Sequence, residues 1–91
     1  MRRNPLLAAF VMATELEIKR RLKEAINEIL DSQDQVIKDE DTPYDLNLDS
    51  MDVVEMLIDI EDEFDVTLKD DNQVRFTPIA ELAKRIARQI A

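Results

Sequence analysis

An all-α fold is predicted for this chain, a small three- to four-helix bundle with a long loop between the first two main helices. Apolar residues recur at three- and four-residue spacing in three separate segments, the signature of one-sided helices. Few runs alternate with the period of two that a half-buried strand requires. The stretch between the first two periodic segments, residues 31–49, holds no sustained period. Ninety-one residues make one domain with a modest core. Residues 1–13 are expected to be an N-terminal extension, disordered or non-native, with Met12 as the natural start, and residues 14–91 the folded domain. Arg2 and Arg3 before the apolar run Leu6–Ala13 resemble a weak secretory signal, and the run is far shorter than the roughly 20 apolar residues that span a bilayer.

The first helix is predicted over Thr14–Leu30. Thr14 and Glu17 have the spacing of a capping box, and Ile18, Leu22, Ala25, Ile26 and Ile29 form one apolar face. Lys19, Arg20, Lys23 and Glu24 occupy the opposite face. Asp31–Asp49, which contains Pro43, is expected to be a long ordered loop pinned to the core by Val36, Ile37, Tyr44, Leu46 and Leu48. The second helix should start at Asp49 or Ser50 and run to about Phe64, with Asp49 as N-cap and Asp52 in the first turn, where the helix dipole favours anions. Its expected core stripe is Val54, Leu57, Ile60 or Glu61, and Phe64. Asp65–Arg75 is a connector with room for one short helical turn. Thr77 as cap and Pro78 at the first helical position then open a last helix that buries Ile79, Leu82, Ala83, Ile86 and Ile90.

Composition excludes much of enzyme chemistry. The chain has no Cys, no His and no Gly. It therefore offers no disulfide or thiolate, lacks the commonest general base and transition-metal ligand, and has no Gly-rich phosphate loop. What remains is a domain that binds, carries or scaffolds. The net charge is −9, and between Lys38 and Lys69 stand twelve acidic residues with no basic one. The flanks hold the other nine acids and all twelve bases. A single-sign block of this size steers basic partners and repels polyanions, so nucleic acid and anionic membranes are poor partners and a protein with a Lys/Arg patch is a good one.

The segment Asp45-Leu46-Asn47-Leu48-Asp49-Ser50-Met51-Asp52, followed by an acidic helix ending Glu61-Asp62-Glu63-Phe64, resembles the acyl carrier protein family. That family's attachment segment has the pattern Asp-Leu-Gly-x-Asp-Ser-Leu-Asp before an acidic helix ending Glu-Glu-Glu-Phe. Asn47 stands where the family usually has Gly, and Asn is among the residues that best tolerate a left-handed backbone. Met51 stands where the family usually has Leu, and the pattern loosens across Lys69–Val74.

The resemblance implies a covalent 4′-phosphopantetheine on Ser50, placed there from coenzyme A by a phosphopantetheinyl transferase. It implies no catalytic residue and no permanent metal, with Asp49 a contact for Mg²⁺ during that transfer. It implies a freestanding cytoplasmic monomer serving acyl-handling enzymes with basic docking patches, fatty acid synthesis being the leading pathway and polyketide, peptide or specialised lipid synthesis the alternatives. The expected docking surface is Asp49, Met51, Asp52, Glu55, Ile58, Asp59 and Asp62, the acids recurring at helical spacing.

Two readings of other classes compete. A helical acidic adaptor would bind basic proteins without a prosthetic group. A calcium loop would use Asp45, Asn47 and Asp49 at its first, third and fifth positions, but Ser50 replaces its usual Gly and Met56 its closing Glu.

Overall fold

The computed structural model describes residues 5–31, 35–68 and 73–90, with the side chains of residues 5–13 outside that set. Three helices are present among them, α1 (Pro5–Ile29), α2 (Ser50–Phe64) and α3 (Ile79–Ile90), with a single 3₁₀ turn at Val74–Phe76 and no strand. The all-α expectation is met. α1 packs chiefly against α3 and then α2.

α1 begins at Pro5, not at Thr14. Pro fits the first helical turn, and nothing from Leu6 to Ala13 interrupts the helix that follows. Thr14 thus lies inside α1, where no free end exists for a capping box, and Glu17 instead pairs with Arg20 at 3.1 Å. The 25 residues of α1 span about 37 Å, most of the molecule's 43 Å long axis. The helix ends at Ile29, and two residues later Asp31 turns left-handed at φ 52°.

Ile18, Leu22, Ala25 and Ile26 of α1 are buried as their spacing predicts, and Ile29 packs at the edge of the core. From α3 come Ile79, Leu82, Ala83 and Ile86, joined by Ala87, with Ile90 partly buried. In α2 the buried stripe is Val53, Met56, Leu57 and Ile60, with Phe64 packed at its edge. Val54 and Glu61 are only half-buried. Several phases of this helix are apolar, and the one that faces α1 includes Met56, a side chain flexible enough to fill an irregular gap.

The long loop is held by backbone bonds more than by bulk. Ile37, Leu46 and Leu48 are buried together with Pro43, but Val36 and Tyr44 are exposed. Thr42 and Asp45 cap one another: the Thr42 N–H donates to Asp45 Oδ2 at 3.1 Å and the Asp45 N–H to Thr42 Oγ1 at 3.0 Å. Pro43 sits at the first position of that turn, which closes when the Leu46 N–H reaches the Thr42 carbonyl at 3.2 Å. Asn47 then turns left-handed at φ 63° and reverses the chain. Asn is suited to this because its short amide lowers the penalty a Cβ brings there.

The loop also caps α3. Ile79 and Ala80 donate their N–H groups to the carbonyls of Asp41 and Asp39 at 2.9 and 3.0 Å. Thr77, expected as the cap, is buried and donates its hydroxyl to the Gln73 carbonyl at 2.6 Å, closing the 3₁₀ turn instead. Asp39 takes Lys19 at 3.0 Å and Lys23 at 2.8 Å on its carboxylate, so one residue ties α1, the loop and α3 together. Hydrogen bonds from Lys23 and then Lys19 hold its carboxyl below the usual Asp range.

Asn47→Ala should lower stability by about 1–2 kcal/mol while Asn47→Gly holds or raises it, as read from urea midpoints. A depressed folded pKa means that Asp39 stabilises fully above its unfolded value of about 3.9, and that the contribution fades as pH falls through the lower folded value. Wild type should therefore exceed Asp39→Asn by less than about 1 kcal/mol near neutral pH, and the gap should close in acid-unfolding curves as pH falls through the lowered folded value.

Candidate functional site: the start of α2

Asp49 is extended, with φ −86° and ψ −179°, and forms a reciprocal cap with Asp52. Its Oδ1 accepts the Asp52 N–H at 2.8 Å, and Asp52 Oδ2 accepts the Asp49 N–H at 3.1 Å. The sequence points to Asp49 as cap, but the partner role of Asp52 was not anticipated. A capping box ordinarily uses Glu or Gln at that position, and the shorter Asp does the same work here.

Ser50 is the first residue of α2 and is exposed. Its hydroxyl makes no hydrogen bond to any described residue. It stands at the positive end of the helix dipole, where an attached anion is favoured. An exposed hydroxyl without a local partner at such a place fits a phosphodiester well.

The remaining predicted surface residues share this side of α2. Met51 is 74% exposed and Ile58 48% exposed, large apolar side chains left in solvent. Asp49, Glu55 and Asp62 are exposed, while Asp52 and Asp59 are half-buried. None of these five acids pairs with a described basic side chain. The last turn of α2 carries Glu61, Asp62 and Glu63 with no base of its own. Arg21 of α1 approaches Glu63 at 3.8 Å, and Glu61 accepts the Leu68 N–H at 3.1 Å.

A second group, packed on the loop that leads into Ser50, was invisible to spacing arguments. Arg75, in the 3₁₀ turn, donates Nε–H to the Leu48 carbonyl at 2.9 Å. Its guanidinium lies 5.2 Å from the centre of the Tyr44 ring and 5.8 Å from that of Phe76. The two rings are 5.2 Å apart and more than half exposed, at 54% and 57%. The Tyr44 N–H donates to the Arg75 carbonyl at 2.8 Å, which locks the turn against the loop. Farther along, a cleft of about 450 Å³ opens between α2, the connector and α3, walled by Leu57, Leu68, Val74, Leu82 and Ile86 with Arg85 at its rim.

Among the described residues no set of three potential metal-ligating side chains is gathered. Of the three candidate calcium ligands, Asp45 and Asp49 each commit one carboxylate oxygen to a cap, and Asn47 makes the left-handed reversal. No helix of the described residues is long and apolar enough to cross a membrane.

The family model for the phosphopantetheine attachment site matches residues 20–86, which takes in α2, its cap and parts of both flanking helices. The chain belongs to the acyl carrier protein family. It is similar to the acyl carrier protein of Exiguobacterium sibiricum, 31% identical over 78 residues that cover 85% of this chain and 99% of that protein. The acyl carrier protein of Lactobacillus johnsonii is 32% identical over 74 residues, covering 80% of this chain and 92% of its own. That of Cyanidium caldarium is 31% identical over 80 residues, covering 87% and 93%. No solved structure matches the chain significantly. Membership makes the chain a carrier domain that works through a covalent 4′-phosphopantetheine, with enzymes as its partners.

The capping arrangement has a measurable consequence. Asp49→Ala removes the acceptor for the Asp52 N–H and should lower stability by about 1 kcal/mol, whereas Asp49→Asn should recover most of that loss in thermal unfolding.

Proposed function

We propose that Ser50 is the point at which 4′-phosphopantetheine is attached, and that the chain carries acyl intermediates as thioesters for fatty acid biosynthesis without catalysing any step itself. The observation that carries this reading is the position of Ser50: exposed, first in α2, its hydroxyl free of described partners, within the segment the family model matches. The arm, when bound, supplies the thiol that a chain without Cys lacks.

The residues around Ser50 divide the work. Asp49 commits Oδ1 to the helix and keeps Oδ2 for a Mg²⁺ ion during transfer of the arm by a phosphopantetheinyl transferase, a carboxylate oxygen being the donor that ion prefers. The cleft bounded by Leu57, Leu68 and Ile86 suits the apolar portion of an acyl chain. Asp49, Asp52, Glu55, Asp59 and Asp62, with Met51 and Ile58 between them, present an acidic face with apolar contacts to a basic patch on acyl-handling enzymes. Charge at such a face sets encounter rate and partner choice more than final affinity. The domain of residues 14–91 acts as a cytoplasmic monomer in this reading, with residues 1–13 an extension to it; the family match starts at residue 20.

Intact mass after incubation with coenzyme A and a transferase tests the assignment. Wild type should gain one arm and Ser50→Ala none, and an arm on Ser50→Ala would refute the site. On the docking face, Glu55→Lys should slow association with a partner synthase several-fold at low salt, and raising ionic strength should slow the wild type toward the same rate. A rate indifferent to both changes would remove the steering role.

A further inference from the structure

The charge around Ser50 poses a problem that Arg75 answers. A phosphodiester at Ser50 places a further negative charge beside Asp49 and Asp52, on a chain already at −9. No basic residue lies between Lys38 and Lys69 in the chain. Lys19 and Lys23 are engaged by Asp39, and Arg21 by Glu24 at 3.0 Å. Arg75 is different. It is half-buried, and no described carboxylate pairs with it despite the 21 acids of the chain. Its Nε–H is fixed on the carbonyl of Leu48, two residues before Ser50, a separation the backbone spans in at most about 7 Å. The exposed Tyr44 and Phe76 rings flank the guanidinium and restrict its motion. With Nε committed, four of the five guanidinium N–H donors remain, in the fork geometry that suits phosphate oxygens.

We propose that Arg75, held by the Leu48 carbonyl and the Tyr44 and Phe76 rings, is a positioning residue that receives the phosphate of the arm on Ser50 and sets the direction in which the arm leaves the protein. This rests on the attachment reading above. A guanidinium with one fixed nitrogen and two free ones holds an anion in a defined orientation, which a lysine point charge does not. Once engaged, Arg75 directs the first part of the arm toward the 3₁₀ turn, and so toward the side of α2 on which Val74 walls the cleft.

The test compares apo and holo protein labelled with ¹⁵N, with intact mass confirming arm loading in each sample. The Arg75 side-chain N–H resonances should shift and exchange more slowly in the holo form, while those of the exposed Arg88 stay in place. The ³¹P resonance of the holo protein should move in Arg75→Lys, which keeps the charge and loses the fork, and remain unmoved in Arg88→Gln. Full loading with unchanged Arg75 resonances overturns this inference and leaves the attachment site standing. Absence of added mass on wild type overturns both. Should Arg75→Lys fail to fold, the wild-type apo-to-holo comparison decides alone.

Discussion

Two backbone N–H groups at the start of α3 organise this molecule. A helix leaves its first N–H groups without intrahelical acceptors, and here Ile79 and Ala80 find theirs in the loop carbonyls of Asp41 and Asp39. That pairing sets where the long loop crosses the bundle. The loop then buries Pro43, Leu46 and Leu48, reverses at Asn47 and delivers Asp49 to cap α2. Each step fixes the next, and the last exposes Ser50. A loop without regular hydrogen bonding is thereby as determined as a helix, because most of its geometry is dictated by partners it must satisfy.

The sequence disclosed whatever depends on near neighbours. α2 was legible at both ends, since Asp49 can cap and the apolar period begins and ends cleanly. Ile18, Leu22, Ile26, Leu82 and Ile86 were legible as core from helical spacing. The start of α1 was not, because Thr14 and Glu17 match a cap pattern that also occurs mid-helix. The choice of Val53 and Met56 over Val54 depends on how α1 lies against α2, and no local pattern carries that angle. Tyr44 and Val36 were expected inside on hydrophobicity alone, yet Tyr44 instead flanks Arg75.

Long-range polar contacts were the least legible part of the site. Arg75 meets Leu48, and Lys19 meets Asp39, across long stretches of chain with no periodicity linking them. The acidic block appears in sequence as one run, but folding divides it. Asp39 at its start and Glu63 near its end are met by bases of α1, and its middle is left bare around Ser50. Family resemblance pointed to Ser50 and the outer acids of α2; the contacts of Arg75 with Leu48, Tyr44 and Phe76 came from geometry alone.

The crowding of Glu61, Asp62 and Glu63 at the end of α2 couples tightness of fold to company. Carboxylates there oppose the helix dipole and one another, and Arg21 relieves only part of the strain. Whatever brings positive charge to that end, a counter-ion or an enzyme's lysines, binds the native state in preference to the unfolded one and shifts the equilibrium toward it. The protein is thus least robust when alone in dilute buffer and most robust when engaged. For a molecule that passes from one enzyme to the next, each handover also renews its structure.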